Sequence, residues 1–159
     1  DDNFTTNFMT LLNRLPIFPL YYYGKTKFTP IHCSDLVEVI FHIIFNNINS
    51  KIIECVGPEE MTLKNIIERL LILIDKKRLL LPMPYPIASI TAKVFQLMPK
   101  PLLTEDQLRL LKYDNILSQK YKSNFDIGAP SKKYFNEEVK KYSYMWREGG
   151  EFSTEKYNS

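Results

Sequence analysis

Lys51-Ile52-Ile53-Glu54-Cys55-Val56-Gly57-Pro58-Glu59-Glu60-Met61-Thr62 is the stretch on which the fold class turns. Residues 51–56 read as a β-strand of mixed pattern, and Gly57-Pro58 stops it. Thr62 caps a helix running to about Asp75, with Leu63, Ile66, Ile67, Leu70, Leu71 and Ile74 on one face. Upstream, Ser34 or Asp35 caps another helix. Its Leu36, Val37, Ile40, Ile43, Ile44 and Phe45 leave few polar positions, which predicts burial on more than one side. One strand between two such helices looks like the edge of a parallel sheet whose other strands lie elsewhere.

Working outward, residues 4–15 place Phe4, Phe8, Leu11, Leu12 and Leu15 at helical spacing behind Asp2 or Asn3 as N-cap, and Pro16 and Pro19 end the helix. Residues 18–23 and 27–33 flank Gly24-Lys25-Thr26, which predicts a short hairpin. Beyond the helix at 62–75, residues 79–81 are a brief apolar run. Pro82, Pro84 and Pro86 then lead into a predicted helix over 87–98 that Pro99 and Pro101 close. Thr104, followed by Glu105-Asp106-Gln107, opens another helix. Pro130 precedes a last amphipathic helix from Lys132 to about Trp146. There Trp146 and the tyrosines of 134–144 anchor the C-terminus, and residues 149–159 read as a disordered tail. The expected class is therefore mixed, helix-rich α/β, with a hairpin, one orphan strand and about six helices.

Composition narrows the function classes. At 159 residues, with 45% hydrophobic and 25% charged residues, the chain has the balance of an ordinary globular domain. The net charge of +3 carries no basic stripe, which argues against nucleic acid as a partner. Lys76-Lys77-Arg78 and Lys140-Lys141 read as solvated helix ends. The two cysteines, Cys33 and Cys55, form no C-x-x-C pair, sit among apolar residues and behave as small hydrophobes; a reducing compartment follows. Asp1-Asp2-Asn3 is no signal peptide, and the missing initiator Met is expected of a piece of a longer chain.

Three segments carry a family resemblance. They are Gly24-Lys-Thr-Lys-Phe-Thr-Pro-Ile-His-Cys-Ser-Asp-Leu36, then Ile53-Glu-Cys-Val-Gly-Pro-Glu-Glu-Met-Thr62, then residues 81–117 with Leu-Pro-Met-Pro, Pro-Leu-Leu-Thr-Glu-Asp-Gln and Leu-Leu-Lys-Tyr-Asp-Asn-Ile-Leu-Ser. In this order they resemble the C-terminal half of extended and atypical short-chain dehydrogenases, over roughly residues 1–148. The third segment is most like the branch that holds the NAD(P)-binding accessory subunit of respiratory complex I and its bacterial relatives, in the NAD-dependent epimerase/dehydratase family. The resemblance implies the substrate-side lobe of a Rossmann-type fold. Its N-terminal half would bind NAD(P)(H), and its partners would be that half and complex I subunits or a membrane-associated protein. It also implies a quinone-linked, non-catalytic accessory or assembly role, in the bacterial cytoplasm at the inner membrane or on the mitochondrial matrix side. The alternative is the substrate-binding lobe of a working epimerase, dehydratase or reductase.

Dinucleotide binding needs a glycine-rich strand–helix turn, and the five glycines form none, so no cofactor-binding residue is assigned. Tyr23 and Lys27 echo the dehydrogenase Tyr-x-x-x-Lys but straddle a predicted turn, so no catalytic residue is assigned either, nor any metal ligand. Where nucleotide-sugar enzymes of the superfamily carry a phosphate-gripping Arg stands Phe28. Candidates for the substrate cleft are Phe4, Phe8, Phe28 and His32; Asp35, Thr62 and Thr104 are helix caps. For His32, a structural tie from strand to helix start outweighs a pocket-facing role, because one histidine without partner ligands is weak evidence of a site. His42 reads as packing, and Glu59-Glu60 and Glu137-Glu138 as exposed charges. Residues 79–103 are apolar nearly throughout. They form either a buried core helix or, with Ile87, Ile90, Val94, Phe95 and Leu97 outward, a surface for a membrane-associated partner.

Overall fold

The computed structural model describes residues 3–49, 52–84 and 109–153. Within them, helix α1 (Asn3–Arg14) leads into strand β1 (Ile17–Tyr21), β2 (Lys27–Phe28), helix α2 (Cys33–Phe45), β3 (Ile53–Glu54), β4 (Met61–Thr62), helix α3 (Leu63–Leu73), β5 (Leu79–Met83), β6 (Lys122–Ser123) and helix α4 (Phe135–Ser143). Among the described residues the class is mixed α/β, with four helices and small two-stranded sheets. The predicted helix over 87–98, its outward-face residues and the Thr104 cap lie outside the described residues.

Helix α3 is the centre of the core, and its sequence explains why. Leu63, Ile66, Ile67, Leu70 and Ile74 are all fully buried, Leu71 nearly so, as the 3.6-residue period requires. Its start is fixed by a capping box. The Thr62 hydroxyl accepts from the Asn65 amide, and the Asn65 carboxamide oxygen accepts from the Thr62 N–H. Against this face pack Phe8, Met9 and Leu12 of α1, Phe18, Leu20 and Tyr21 of β1, Val139 of α4, and Trp146. The Trp146 indole N–H donates to the Thr10 hydroxyl at 3.0 Å, and its ring lies 4.8 Å from that of Phe152, so the anchoring role expected of Trp146 is observed. Residues as far as Phe152 join the fold: the Phe152 carbonyl accepts from the Asn13 carboxamide.

Arginines close two helix C-termini, where unpaired carbonyls and the helix dipole favour a cation. Arg78 donates to the Leu12 and Asn13 carbonyls at the end of α1, and Arg147 donates to Leu73 at the end of α3. Arg78, read from sequence as part of a solvated helix end, thus closes the C-terminus of α1.

Four expectations are corrected. There is no hairpin at Gly24. Tyr22, Tyr23 and Gly24 have φ of 49°, 61° and 67°, a left-handed 3-10 turn that sends the chain away from β1. β1 pairs parallel with β5, Phe18 opposite Leu80, and β2 pairs antiparallel with β4, Phe28 opposite Met61. Nor is the strand at 51–56 an orphan: β3 pairs parallel with β6, Ile53 opposite Lys122. Helix α2 is not buried on several sides. Only Asp35 and Val39 are buried, whereas Val37, Ile40, Phe41, Ile44 and Phe45 are exposed, the last two at 64% and 78%. Cys33 is exposed at the start of α2 rather than packed.

Candidate functional site

Three of the four cleft candidates come together. The Phe4 and Phe8 rings meet edge-on at 4.9 Å, Phe4 and Phe28 lie 5.8 Å apart, and Phe8 reaches Phe18 at 5.9 Å. These are the separations at which aromatic quadrupoles attract. Phe8 is 4% exposed and belongs to the core; Phe4, at 41%, is the member open to solvent. Phe28 is half-buried and Phe18 buried, so the solvent-facing rim of the cluster is Phe4 with Phe28. His32 makes its bonds elsewhere, to Ser34 and Glu138.

The start of α2 is tied to the C-terminal part of the chain through polar groups. The N-cap is His32, whose Nδ1 accepts from the Ser34 amide at 3.3 Å. Asp35, expected to be that cap, does something else. It is 2% exposed, and one carboxylate oxygen accepts from the Lys132 and Lys133 amides, each at 2.9 Å. A buried carboxylate is tolerated because it receives charge-assisted bonds. His42 is more than packing: its Nε2 lies 2.9 Å from the Ile127 carbonyl, joining α2 to the same C-terminal segment.

Beside these ties, Asn124 imitates a strand. Its carboxamide oxygen accepts from the Val56 N–H at 3.0 Å, and its Nδ2 donates to the Val56 carbonyl and to the Ser131 hydroxyl. Ser131 in turn donates to Val56 at 2.7 Å. All the backbone capacity of Val56 is therefore met by side chains, as a buried strand end demands. The turn carrying Asn124 is a reciprocal box. Asp126 accepts from the Ser123 amide and hydroxyl, and Ser123 accepts from the Asp126 amide. These bonds pull the Asp126 carboxyl below the usual range.

The paired glutamates divide their labour, and two are not plain surface charges. Glu59 pairs with Arg69 at 2.8 Å and accepts from the Phe135 amide at the start of α4. Glu138 bonds Lys141 at 2.6 Å, which holds its carboxyl below the ordinary value, and faces His32 at 3.6 Å. Glu60 pairs with Lys27 in the open, raising the Lys27 ammonium above its ordinary value. Burial pushes the Cys55 thiol up, so it is a poor thiolate at neutral pH.

Sequence reasoning missed Asn124, Ser131 and the true partners of Asp35. Only the Ser123-x-x-Asp126 spacing carried a readable signal, that of a capping box.

The remaining feature is the bare side of α2. Val37, Ile40, Phe41, Ile44 and Phe45 recur at three- and four-residue spacing on the side away from Asp35 and Val39, and the Phe41 and Phe45 rings stack at 6.2 Å. Covering them removes on the order of 500 Å² of apolar surface from water, a gross gain of ~12 kcal/mol at about 25 cal/mol per Å². A continuous apolar patch of that size on one helix is as large as the largest on an ordinary monomer surface, the kind that is often functional. Among the described residues no group of three His, Cys, Asp or Glu side chains could hold a metal, and no helix is long and apolar enough to cross a membrane. No protein-family model matches the chain, and neither does any curated protein.

Proposed function

We propose that this chain is the C-terminal lobe of an NAD(P)-binding protein of the short-chain-dehydrogenase type, in the branch of the complex I accessory subunit. In that reading it is a nucleotide-binding accessory or assembly component without catalysis of its own. The N-terminal Rossmann lobe of the same polypeptide lies against the outer side of α2 and carries the nucleotide. The Phe4–Phe28 rim borders the cleft between the two lobes.

One observation carries the reading: α2 is bolted to its own lobe by His32, Asp35, Val39 and His42, yet turns five large apolar side chains outward. A helix so anchored and so bare is half of a helix-on-sheet layer, the packing from which doubly wound folds are built. The short parallel pairing of β3 with β6 is compatible with that architecture, since parallel strands favour sheets covered on both faces.

The test begins with the coding region upstream of Asp1, followed by titration of the full-length product with NADPH and NADH, read by nucleotide fluorescence. An in-frame glycine-rich strand–turn–helix and saturable binding of one nucleotide are expected. A stop codon or an unrelated domain at that place, or a full-length product that binds neither nucleotide, overturns the proposal.

A further inference from the structure

The first turn of α2 offers one histidine two incompatible sets of bonds. As drawn by its neighbours, the neutral His32 ring has its lone pair on Nδ1, where the Ser34 N–H is accepted at 3.3 Å and the Ser34 hydroxyl lies at 2.8 Å. The ring proton is then on Nε2, which points at Glu138 Oε2, 3.6 Å away. A doubly protonated ring has no lone pair. It cannot cap Ser34, although it gains a full ion pair with Glu138 and can donate to the Ser34 hydroxyl. From these contacts we infer that His32 is a protonation-sensitive joint between α2 and α4. Neutral, it caps the helix that carries the bare apolar side; charged, it releases that cap and holds α4 through Glu138.

The charged groups around the joint favour two usable states over one. From α4 come Glu138 and, bonded to it, Lys141; Lys133 adds a positive charge from the segment before α4. Asp35 stands one residue beyond Ser34 in the same helix turn, and its carboxylate is committed to the Lys132 and Lys133 amides. Glu138 is the carboxylate aimed at the ring, and the bond from Lys141 keeps it ionised in mild acid, when histidines become charged. Asp35 keeps the helix start attached while the cap is lost. Protonation therefore loosens one turn without detaching the helix.

The test is amide hydrogen exchange of the intact chain at pH 8 and pH 5, corrected for intrinsic rates and referenced to α3 amides. Wild type is compared with His32→Asn, since asparagine caps helices well and does not titrate. The Ser34 amide of the wild type is expected to lose about tenfold of its protection in acid, the equivalent of one cap, while His32→Asn stays level. Equal pH dependence in the two proteins, or none in the wild type, overturns the inference. A double-mutant cycle with Glu138→Gln tests the other arm independently. Coupling between positions 32 and 138 should be near unity at pH 8 and change the unfolding equilibrium about threefold at pH 5. A coupling that does not grow in acid refutes the Glu138 contact as the second state.

Discussion

Replacing Gly57 by alanine adds a single methyl group, and the structure says where it lands. A Cβ at Gly57 falls well inside van der Waals contact of the Pro30 carbonyl oxygen, 2.7 Å from that carbonyl's carbon and 3.3 Å from the Ile31 nitrogen. Comfortable carbon contacts begin near ~3.5 Å, and every atom met is backbone, so no side chain can swing aside. Gly57 is not among the left-handed glycines, so the obstacle is space and not φ. Separating the two segments by about 1 Å breaks the bond from the Gly57 N–H to Thr29 and strains the bonds that Asn124 and Ser131 make to Val56. Overpacking of this kind costs ~1–3 kcal/mol, and the lost backbone bond adds about 1. The expected loss is about 2–4 kcal/mol, or roughly 5–15 °C in Tm for a chain of this length. Gly128→Ala is the control. Its Cβ meets nothing nearer than the His42 ring at 4.0 Å, and its φ of +79° alone sets the cost, ~1–2 kcal/mol. Paired thermal and urea unfolding of the two variants decides the matter. If Gly57→Ala is no less stable than Gly128→Ala, the close approach of residues 57 and 30 is wrong.

Other outcomes follow from the same geometry. Asp35→Ala strands two backbone N–H groups and should cost about 3 kcal/mol in urea unfolding; a loss near ~1 kcal/mol is what a simple N-cap gives and would restore that reading. Tyr23→Gly relieves a left-handed tyrosine at the expense of glycine entropy, so a gain of up to ~1 kcal/mol is expected, visible as a higher Tm. Asp126 and Glu138 are held below their unfolded values, so their stabilisation is complete above the unfolded carboxylate range and is lost as pH falls through the folded values. The urea midpoint should therefore fall more steeply below about pH 4 in wild type than in Asp126→Asn or Glu138→Gln. With iodoacetamide at pH 8, mass spectrometry should find the exposed Cys33 alkylated well before the half-buried Cys55, whose thiol burial keeps protonated.

What could be read from the sequence was what local physics determines. Helix α3 was legible because its six apolar positions and its Thr62 cap agree with one another, and burial obeys them. The strand at Ile53–Glu54 was legible as a strand but not as a paired one: its partner stands at Lys122–Ser123, a long-range choice with no local mark. The supposed hairpin failed for a similar reason. Aromatic and β-branched residues about a glycine fit a hairpin, yet the left-handed Tyr22-Tyr23-Gly24 turn diverts the chain, and β1 finds its neighbour at Leu79–Met83. Helix α2 misled in a more informative way. Its composition predicts burial on several sides, and its bare side is the surface that burial would have used. Among the site residues, spacing puts Phe4 and Phe8 on one helix face, whereas their meeting with Phe28 has no local mark in the sequence. Asn124 and the partners of Asp35 could not follow from any spacing, because a lone polar side chain carries no record of its distant acceptor.

The clasp of Asn124 and Ser131 on Val56 also sets a schedule for a chain made from its N-terminus. Val56 and Ser131 are 75 positions apart. At ~5–20 residues per second, the ribosome delivers Ser131 about 4–15 seconds after Val56. For most of that interval β3 has neither β6 beside it nor the side chains that satisfy its end, while α3 is completed on its far side. Nascent chains stalled before and after residue 131 should therefore differ in how strongly they engage holdase chaperones, and Ser131 is the residue whose arrival ends the wait.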